Sequence, residues 1–231
     1  MNAMTPDVLV LYSGGRDSSA ATVEMALKKN YVKLFTFQAG ALEVAGRQGD
    51  SAPEIRHKEL LTAFPEHIDP QRAIDGSTYI IRKLGIEKTN TAHVVYPITL
   101  ALAAHCEAIT YSLKYEIKKI ACGYSGYQSD RDIYIEQRSD FAKLTADFVG
   151  EYGIAYHLPV IDKSESEIKN LLERHGISSN SLENKSLFGG VSFDIEYAHQ
   201  YWNSCIPFCR KYLHERLSGT CEKDSQHLEL T

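Results

Sequence analysis

The 231-residue sequence lacks the features that mark several large classes of protein. Its Lys and Arg residues form no run longer than a pair, as at Lys28-Lys29, and the formal net charge is −5. A duplex nucleic-acid binder needs a clustered basic face, so this composition argues against that class. No apolar stretch approaches the ~18 residues that span a bilayer, and residues 1–7 lack the basic start and apolar centre of a secretion signal. We therefore expect a cytoplasmic protein without a membrane partner.

Cysteine is scarce and odd in number, with five residues in the chain. An odd set in a reducing compartment is not expected to form a disulfide framework. Cys106 and Cys122 occur in apolar segments and are expected to pack as small core residues. The other three, Cys205, Cys209 and Cys221, cluster near the C-terminus and raise the question of a metal site.

Two common phosphate-binding motifs are also missing. The chain contains no Gly-Lys pair, which excludes the P-loop of NTPases. It also contains no Gly-x-Gly-x-x-Gly, which excludes the dinucleotide-binding fingerprint. Any phosphate site in this chain must therefore be built differently.

What the chain does contain is an alternation of apolar strands and amphipathic helices. Residues 7–12 are almost continuously apolar, as expected of a strand buried on both faces, and residues 17–29 have helical spacing. Further strands are predicted at 32–37, 92–96, 119–122 and 155–161, and further helices at 54–63, 98–117, 139–151 and 164–174. This order predicts an α/β fold, a doubly wound parallel sheet in a three-layer αβα arrangement.

The composition loosens beyond the last predicted helix, where Ser, Asn and Gly dominate residues 178–192. We therefore expect a nucleotide-binding α/β domain at residues 1–176 and a C-terminal extension at 177–218 that packs on it. The tail at 219–231 is expected to be disordered.

The sequence Ser-Gly-Gly-Arg-Asp-Ser at residues 13–18 joins the first strand to the first helix. In an open parallel sheet, ligands bind beyond the carboxyl ends of the strands. Gly14 and Gly15 allow a close backbone approach, so that N–H groups converge on an anion at the helix N-terminus. Ser13 and Ser18 add hydroxyl donors, whereas Asp17 would repel phosphate and fits a role in orienting the loop or holding Mg²⁺. The alternative is a tight turn in which Asp17 or Ser18 caps the helix.

This hexad resembles the PP-loop of the adenine-nucleotide α-hydrolase superfamily. Its members bind ATP, cleave it between the α and β phosphates and typically adenylate a carboxylate or carbonyl oxygen before a nucleophile displaces AMP. The resemblance implies a fold of the HUP type, with ATP and Mg²⁺ as cofactors and Asp17 as a catalytic residue. Contacts to the nucleotide are implied for Ser13, Gly14, Gly15, Arg16, Asp17 and Ser18. Catalysis of this kind rests on positioning and charge stabilisation.

Other stretches resemble the 7-cyano-7-deazaguanine synthases within that superfamily. Residues 123–131 resemble their Ser-Gly-Tyr-Pro-Asp-Cys-Arg loop, with Gln, Ser and Asp here in place of Pro, Asp and Cys. Residues 159–165 resemble their Pro-Leu…Lys-x-Glu segment, and Thr36-Phe37 with Arg56-His57 resembles a Thr-Phe…Arg-His element at wider spacing. Together these stretches cover most of residues 8–176.

The resemblance also implies roles for residues outside the hexad. Lys163 and Arg131 would act with Asp17 in catalysis, and Phe37 and Gly123 would line the nucleotide site. A flat substrate would lie against Tyr124, Tyr127 and Asp130.

The implied function is an ATP-dependent, AMP-forming ligase, which adenylates a carboxylate for attack by ammonia or an amine, as in deazaguanine-nitrile synthesis for queuosine. Its partners would be a small deazapurine-like carboxylate and ammonia or an amine, without duplex nucleic acid; a homodimer is one expected assembly. The family's Pro-x-Arg-Asn is absent, because Ile98-Thr99-Leu100 follows Pro97. Other PP-loop enzymes, such as a tRNA-modifying thiolase or an amide ligase, and a nucleotide-binding subunit without activity therefore stay open as alternatives.

The same family carries a four-cysteine zinc site near its C-terminus, with the last three residues spaced Cys-x2-Cys-x2-Cys. Here Cys205 and Cys209 are spaced Cys-x3-Cys, with His199 and His214 nearby. Zinc takes tetrahedral sulfur and nitrogen ligands, so these four residues are the candidates for a Zn²⁺ site. The alternative is that the cysteines are buried thiols and that aromatic packing holds the extension.

Overall fold

The computed structural model describes residues 5–38, 51–88, 95–129, 134–180 and 194–219. Its centre is a five-stranded sheet in the order β3-β2-β1-β4-β5, and every neighbouring pair is parallel. The strands are β1 (Val8–Leu11), β2 (Val32–Phe37), β3 (Ala73–Asp75), β4 (Lys119–Ala121) and β5 (Ala155–His157). The predicted α/β fold with a parallel, doubly wound sheet is confirmed.

Helices connect these strands and cover both faces of the sheet. In chain order the α-helices are α1 (Arg16–Leu27), α2 (Ala52–Ala63), α3 (Thr78–Ile80), α4 (Tyr96–Lys114), α5 (Gly126–Ser129), α6 (Ser139–Gly150), α7 (Glu165–Arg174) and α8 (Ile195–Leu217). A π-helical segment (Ile81–Ile86) follows α3, and a 3₁₀ turn (Ile135–Gln137) precedes α6.

β1 lies at the centre of the sheet and is buried on both faces. Leu9 and Leu11 contact the core formed with α4, α6 and α8, whereas Val8 and Val10 contact the core formed with α1, α2 and α7. Because both faces of β1 are buried, its residues are all apolar and do not alternate with polar ones.

The chain changes direction at β1. It runs outward from β1 through α1 to β2 and on to β3, and then crosses back through α4 to pair β4 with the other side of β1. The connection that follows β1 therefore runs to one side of the sheet, and the connection that follows β4 runs to the other. Such a switch point leaves a crevice beyond the carboxyl ends of the two strands.

The predicted strand at 92–96 is wrong in the part that the structure describes, because α4 begins at Tyr96 and Val95 is its N-cap. Residues 92–94 lie outside the described residues. The third strand is instead Ala73–Asp75, a short edge strand with partly exposed side chains. Three residues at an edge give neither an apolar run nor a readable alternation, so the sequence pattern does not reveal it. The predicted strand at 155–161 ends earlier, at His157.

α8 lies outside α4 and α6 and packs against both. Trp202 is 2% exposed and meets Phe141 of α6 edge-on, with ring centroids 5.9 Å apart. The hydroxyl of Tyr201 lies 2.8 Å from Thr99 Oγ1 of α4 and donates to the carbonyl of Leu84. The part of the chain with described coordinates contains no helix long and apolar enough to cross a membrane.

Candidate functional site

The loop that joins β1 to α1 is held together by its own hydroxyl groups. Ser13 Oγ accepts a hydrogen bond from the Gly15 N–H at 3.1 Å and lies 3.2 Å from Ser18 Oγ. The carbonyl of Gly15 accepts from the hydroxyls of Ser18, at 3.2 Å, and Ser19, at 2.7 Å. Much of the loop geometry is therefore set by contacts within the segment.

The N-cap of α1 is Gly15, and it makes no side-chain capping bond. The alternative in which Asp17 or Ser18 caps the helix is therefore wrong, because both residues lie inside the first turn. The first N–H groups of an α-helix lack partners within the helix, and the helix dipole makes this end positive. The start of α1 is thus suited to an anion.

Gly14 is a position where only glycine fits. Its φ is +77°, and an ideal Cβ would lie 2.3 Å from the backbone nitrogen of Pro53 at the start of α2. The Gly14 carbonyl accepts a hydrogen bond from Arg56, a fully buried residue of α2 that also donates to the carbonyl of Ser178 at 3.1 Å. Arg56, matched above only through the Arg-His resemblance, therefore supports the loop from beneath.

The loop after β4 approaches the same helix N-terminus. An ideal Cβ on Gly123 would lie 2.5 Å from the backbone nitrogen of Ser18. The Gly126 N–H donates to the carbonyl of Ile161 at 2.8 Å, which ties this loop to the segment after β5. The segments that follow β1 and β4 therefore meet at the switch point, and Gly123 lies beside the nucleotide-site residues predicted from the sequence.

Asp17 faces this second loop and is 9% exposed. Its carboxylate accepts hydrogen bonds from the hydroxyl of Tyr127, at 2.9 and 3.1 Å, and from Nε2 of Gln128 at 2.9 Å. Burial and the neighbouring Asp17 charge raise the pKa of Tyr127 well above its usual value, so its proton stays on the phenol and is donated. Tyr127, predicted as a substrate surface, thus contacts Asp17 in the structure.

The two predicted cations of this region are both paired with carboxylates. Arg16 Nη1 lies 2.9 Å from Glu165 Oε1 at the start of α7. Lys163 Nζ lies 3.0 Å from Glu24 Oε1, which is eight residues beyond the first residue of α1. The structure therefore places Lys163 beside the flank of α1 rather than at the residue 13–18 loop.

The remaining predicted site residues lie in different surroundings. Phe37 ends β2 and packs, partly buried, against the core that contains α4. Tyr124 is 8% exposed within that core, and burial raises the pKa of its phenol. Asp130 and Arg131 lie outside the described residues.

A buried polar chain that the sequence did not reveal runs behind Tyr124. His105 Nδ1 donates to the carbonyl of Ala101 at 2.7 Å, and its Nε2 lies 2.9 Å from the hydroxyl of Tyr156. Burial lowers the pKa of His105 to about 4, so the imidazole is neutral and Tyr156 donates to Nε2. Glu136, close to Tyr124, has a pKa raised to about 7 by burial. Because the partners come from separate elements, spacing along the chain gives no sign of this network.

The four zinc candidates do not converge. Cys205 and Cys209 are buried on the inner face of α8, and Cys209 neighbours Cys106 of α4. His199 bonds to Asp140 Oδ2 at 2.9 Å and stacks on a phenylalanine ring, while His214 is exposed. Within the described ranges, no group of at least three His, Cys, Asp or Glu residues is arranged to hold a metal. Cys221 lies outside those ranges, and the described cysteines are free thiols.

Comparison with known proteins identifies the fold and not the activity. No protein-family model and no curated protein matches the sequence. NMN synthetase from Francisella tularensis is similar with a TM-score of 0.50 at 13% identity, covering 94% of this chain and 89% of that one. U34-tRNA thiolase NcsA from Methanococcus maripaludis gives 0.46 at 13% identity, with 94% and 71% covered. A predicted subunit of tRNA methyltransferase from Methanocaldococcus jannaschii gives 0.44 at 17% identity, with 75% and 89% covered. The likeness to NMN synthetase shows a shared α/β fold.

Proposed function

We propose that this chain is an ATP-dependent enzyme that cleaves ATP between the α and β phosphates and transfers AMP to an oxygen of an acceptor. The observation that carries the proposal is the placement of residues 13–18. The glycine-containing loop lies at the switch point between β1 and β4, at the N-terminus of α1. Parallel sheets bind ligands at this place, and a helix N-terminus stabilises phosphate charge there.

The residues around the loop suit a pyrophosphate group and its metal. A side chain at Gly14 would clash with Pro53, so only glycine lets the loop pack this closely against α2. The hydroxyls of Ser13 and Ser18 and the N–H groups at the start of α1 are donors for phosphate oxygens. The Asp17 carboxylate would supply an oxygen ligand for Mg²⁺, and that ion would supply positive charge to balance the phosphate groups.

The finer proposal is that the acceptor is a carboxylate, which ammonia or an amine then attacks, as in deazaguanine-nitrile synthesis. It is supported by the resemblance of residues 123–131 and 159–165 to the synthases that make this nitrile. The contacts of Gly123 with α1 support it further, because they hold the first of these stretches beside the nucleotide loop. In this proposal Lys163 must leave Glu24 to reach a phosphate, a rearrangement that long lysine side chains allow.

The test is an incubation with ATP, Mg²⁺, ammonium chloride and 7-carboxy-7-deazaguanine, followed by chromatography and mass spectrometry. AMP, pyrophosphate and a product of nitrile mass are expected. ADP as the nucleotide product would contradict the cleavage between the α and β phosphates. AMP formation with other carboxylates but not with this one would retain the adenylation and reject the deazaguanine acceptor.

A pair of aspartate variants links the activity to the loop. Asp17→Asn keeps the shape of the side chain but removes its charge, so AMP release should fall by at least about 100-fold if this carboxylate holds the metal. Asp147→Asn is the matched control, because Asp147 is exposed on α6 and forms an ion pair with Lys143 on the same helix. Equal activity of both variants would remove Asp17 from the proposed machinery.

A further inference from the structure

We propose that Tyr127 and Gln128 are positioning residues, which hold the Asp17 carboxylate in the orientation that binds the metal of a metal–nucleotide complex. The inference rests on the proposed function and adds to it two residues of the loop that follows β4. Both residues come from α5, in the segment that follows β4, whereas Asp17 belongs to the first turn of α1. The contact thus joins the two sides of the switch-point crevice.

The hydrogen bonds around Asp17 form a closed ring. The phenol of Tyr127 donates to the carboxylate at 2.9 Å, and Gln128 Nε2 donates to Asp17 Oδ2 at 2.9 Å and to the Tyr127 hydroxyl at 3.3 Å. A carboxylate only accepts, so the Gln128 amide must turn its NH₂ toward Asp17. The phenol donor is shared between the two carboxylate oxygens, at 2.9 and 3.1 Å, and the NH₂ of Gln128 supplies the other two bonds, so every partner has the required polarity.

This ring restrains the orientation of the carboxylate and leaves its negative charge in place. Neither donor carries a full charge, so they orient the carboxylate without neutralising it as an arginine or lysine would. Asp17 is only 9% exposed, and in such surroundings hydrogen bonds to a charged group are stronger than in water.

The backbone around α5 holds Tyr127 and Gln128 next to Asp17. Gly123 can approach the Ser18 nitrogen because it has no Cβ, and Gly126 is tied to the Ile161 carbonyl at 2.8 Å. These two points fix both ends of the turn that leads into Tyr127. Gln128 occupies the position where the resembling synthase loop has proline, a residue without an amide side chain, so this donor belongs to the present chain and is not part of the family pattern.

The test measures nucleotide affinity by calorimetry with α,β-methylene-ATP, which cannot be cleaved between the α and β phosphates. Each protein is titrated once with Mg²⁺ and once with EDTA. Tyr127→Phe removes only the hydroxyl, and Gln128→Leu removes the amide donor without adding a charge. Both should lower the affinity in Mg²⁺ by about tenfold, since hydrogen bonds to charged groups contribute that much. Neither should change the affinity in EDTA, where no metal is held.

The matched control is Tyr115→Phe, which removes the hydroxyl of a tyrosine that is 45% exposed on the end of α4. Far-ultraviolet circular dichroism and thermal melting check that every variant is folded. Unchanged Mg²⁺-dependent affinity in both α5 variants would overturn the positioning role. An equal loss in Mg²⁺ and in EDTA would also overturn it, because the residues would then only support the fold. Failure of the unsubstituted protein to bind the nucleotide at all would instead overturn the proposed function.

Discussion

The close approach of Gly123 to α1 makes Gly123→Ala a sharp test of the proposed site. Gly123 has no positive φ, so alanine meets no torsional penalty there and the effect is purely steric. The new Cβ would lie 2.5 Å from the Ser18 nitrogen and 2.6 Å from the Asp17 carbonyl carbon. Ordinary contacts are 3.4–4 Å, so one of the two backbones must move by about 1 Å.

This displacement has a consequence for stability and another for function. Overpacking of this kind costs about 1–3 kcal/mol of unfolding free energy. For a chain of this size that corresponds to a fall in Tm of roughly 2–12 °C. In the proposed function the Ser18 amide is one of the donors for phosphate, so a misplacement of about 1 Å is expected to reduce turnover by about 100-fold.

The assay compares urea denaturation and AMP formation for Gly123→Ala and for a control, Gly150→Ala. Gly150 ends α6, and an ideal Cβ there meets nothing within 4 Å. The control should therefore keep its activity and gain up to about 1 kcal/mol in stability. If Gly123→Ala matched the control in both measurements, the two loops would not be in backbone contact, and the geometry of the switch-point site described above would be refuted.

Other contacts give further predictions. Arg56→Met should lower the unfolding free energy by about 2–5 kcal/mol in urea denaturation, because it leaves buried carbonyl groups without donors; a change below about 1 kcal/mol would contradict the supporting role. Burial raises the pKa of Glu136 to about 7 in the folded protein. The stability from its neutral form is present below its unfolded pKa of about 4.3 and is lost as pH rises through 7. The unsubstituted protein should therefore lose roughly 3 kcal/mol more unfolding free energy between pH 4 and pH 8 than Glu136→Gln does. Equal pH dependence of stability in the two proteins would contradict the raised pKa of Glu136. Finally, Cys209→Ala should destabilise the fold by about 1–2 kcal/mol through a small cavity. Its zinc content by mass spectrometry should equal that of the unsubstituted protein. Zinc that is lost together with the thiol would instead support a zinc site at this cysteine.

The fold class and the position of the residue 13–18 loop between β1 and α1 could both be predicted from the order of the residues. β1 is buried on both faces, which forces a continuous apolar run, and α1 follows it after only a few residues. Both signals come from residues that are neighbours in the chain, so they can be recognised in the sequence. The capping box of α7, in which Ser164 and Glu167 exchange hydrogen bonds, is equally local.

The tertiary structure decided which side chains meet. Tyr127 and Gln128 lie more than one hundred residues from Asp17 in sequence and reach it only because β4 pairs with β1. Lys163 precedes a helix, as predicted, yet packing places it on Glu24. Spacing along a chain specifies faces of single elements, whereas partners across elements depend on sheet order and loop paths. For that reason the sequence indicated a phosphate loop, and the structure showed what holds its carboxylate.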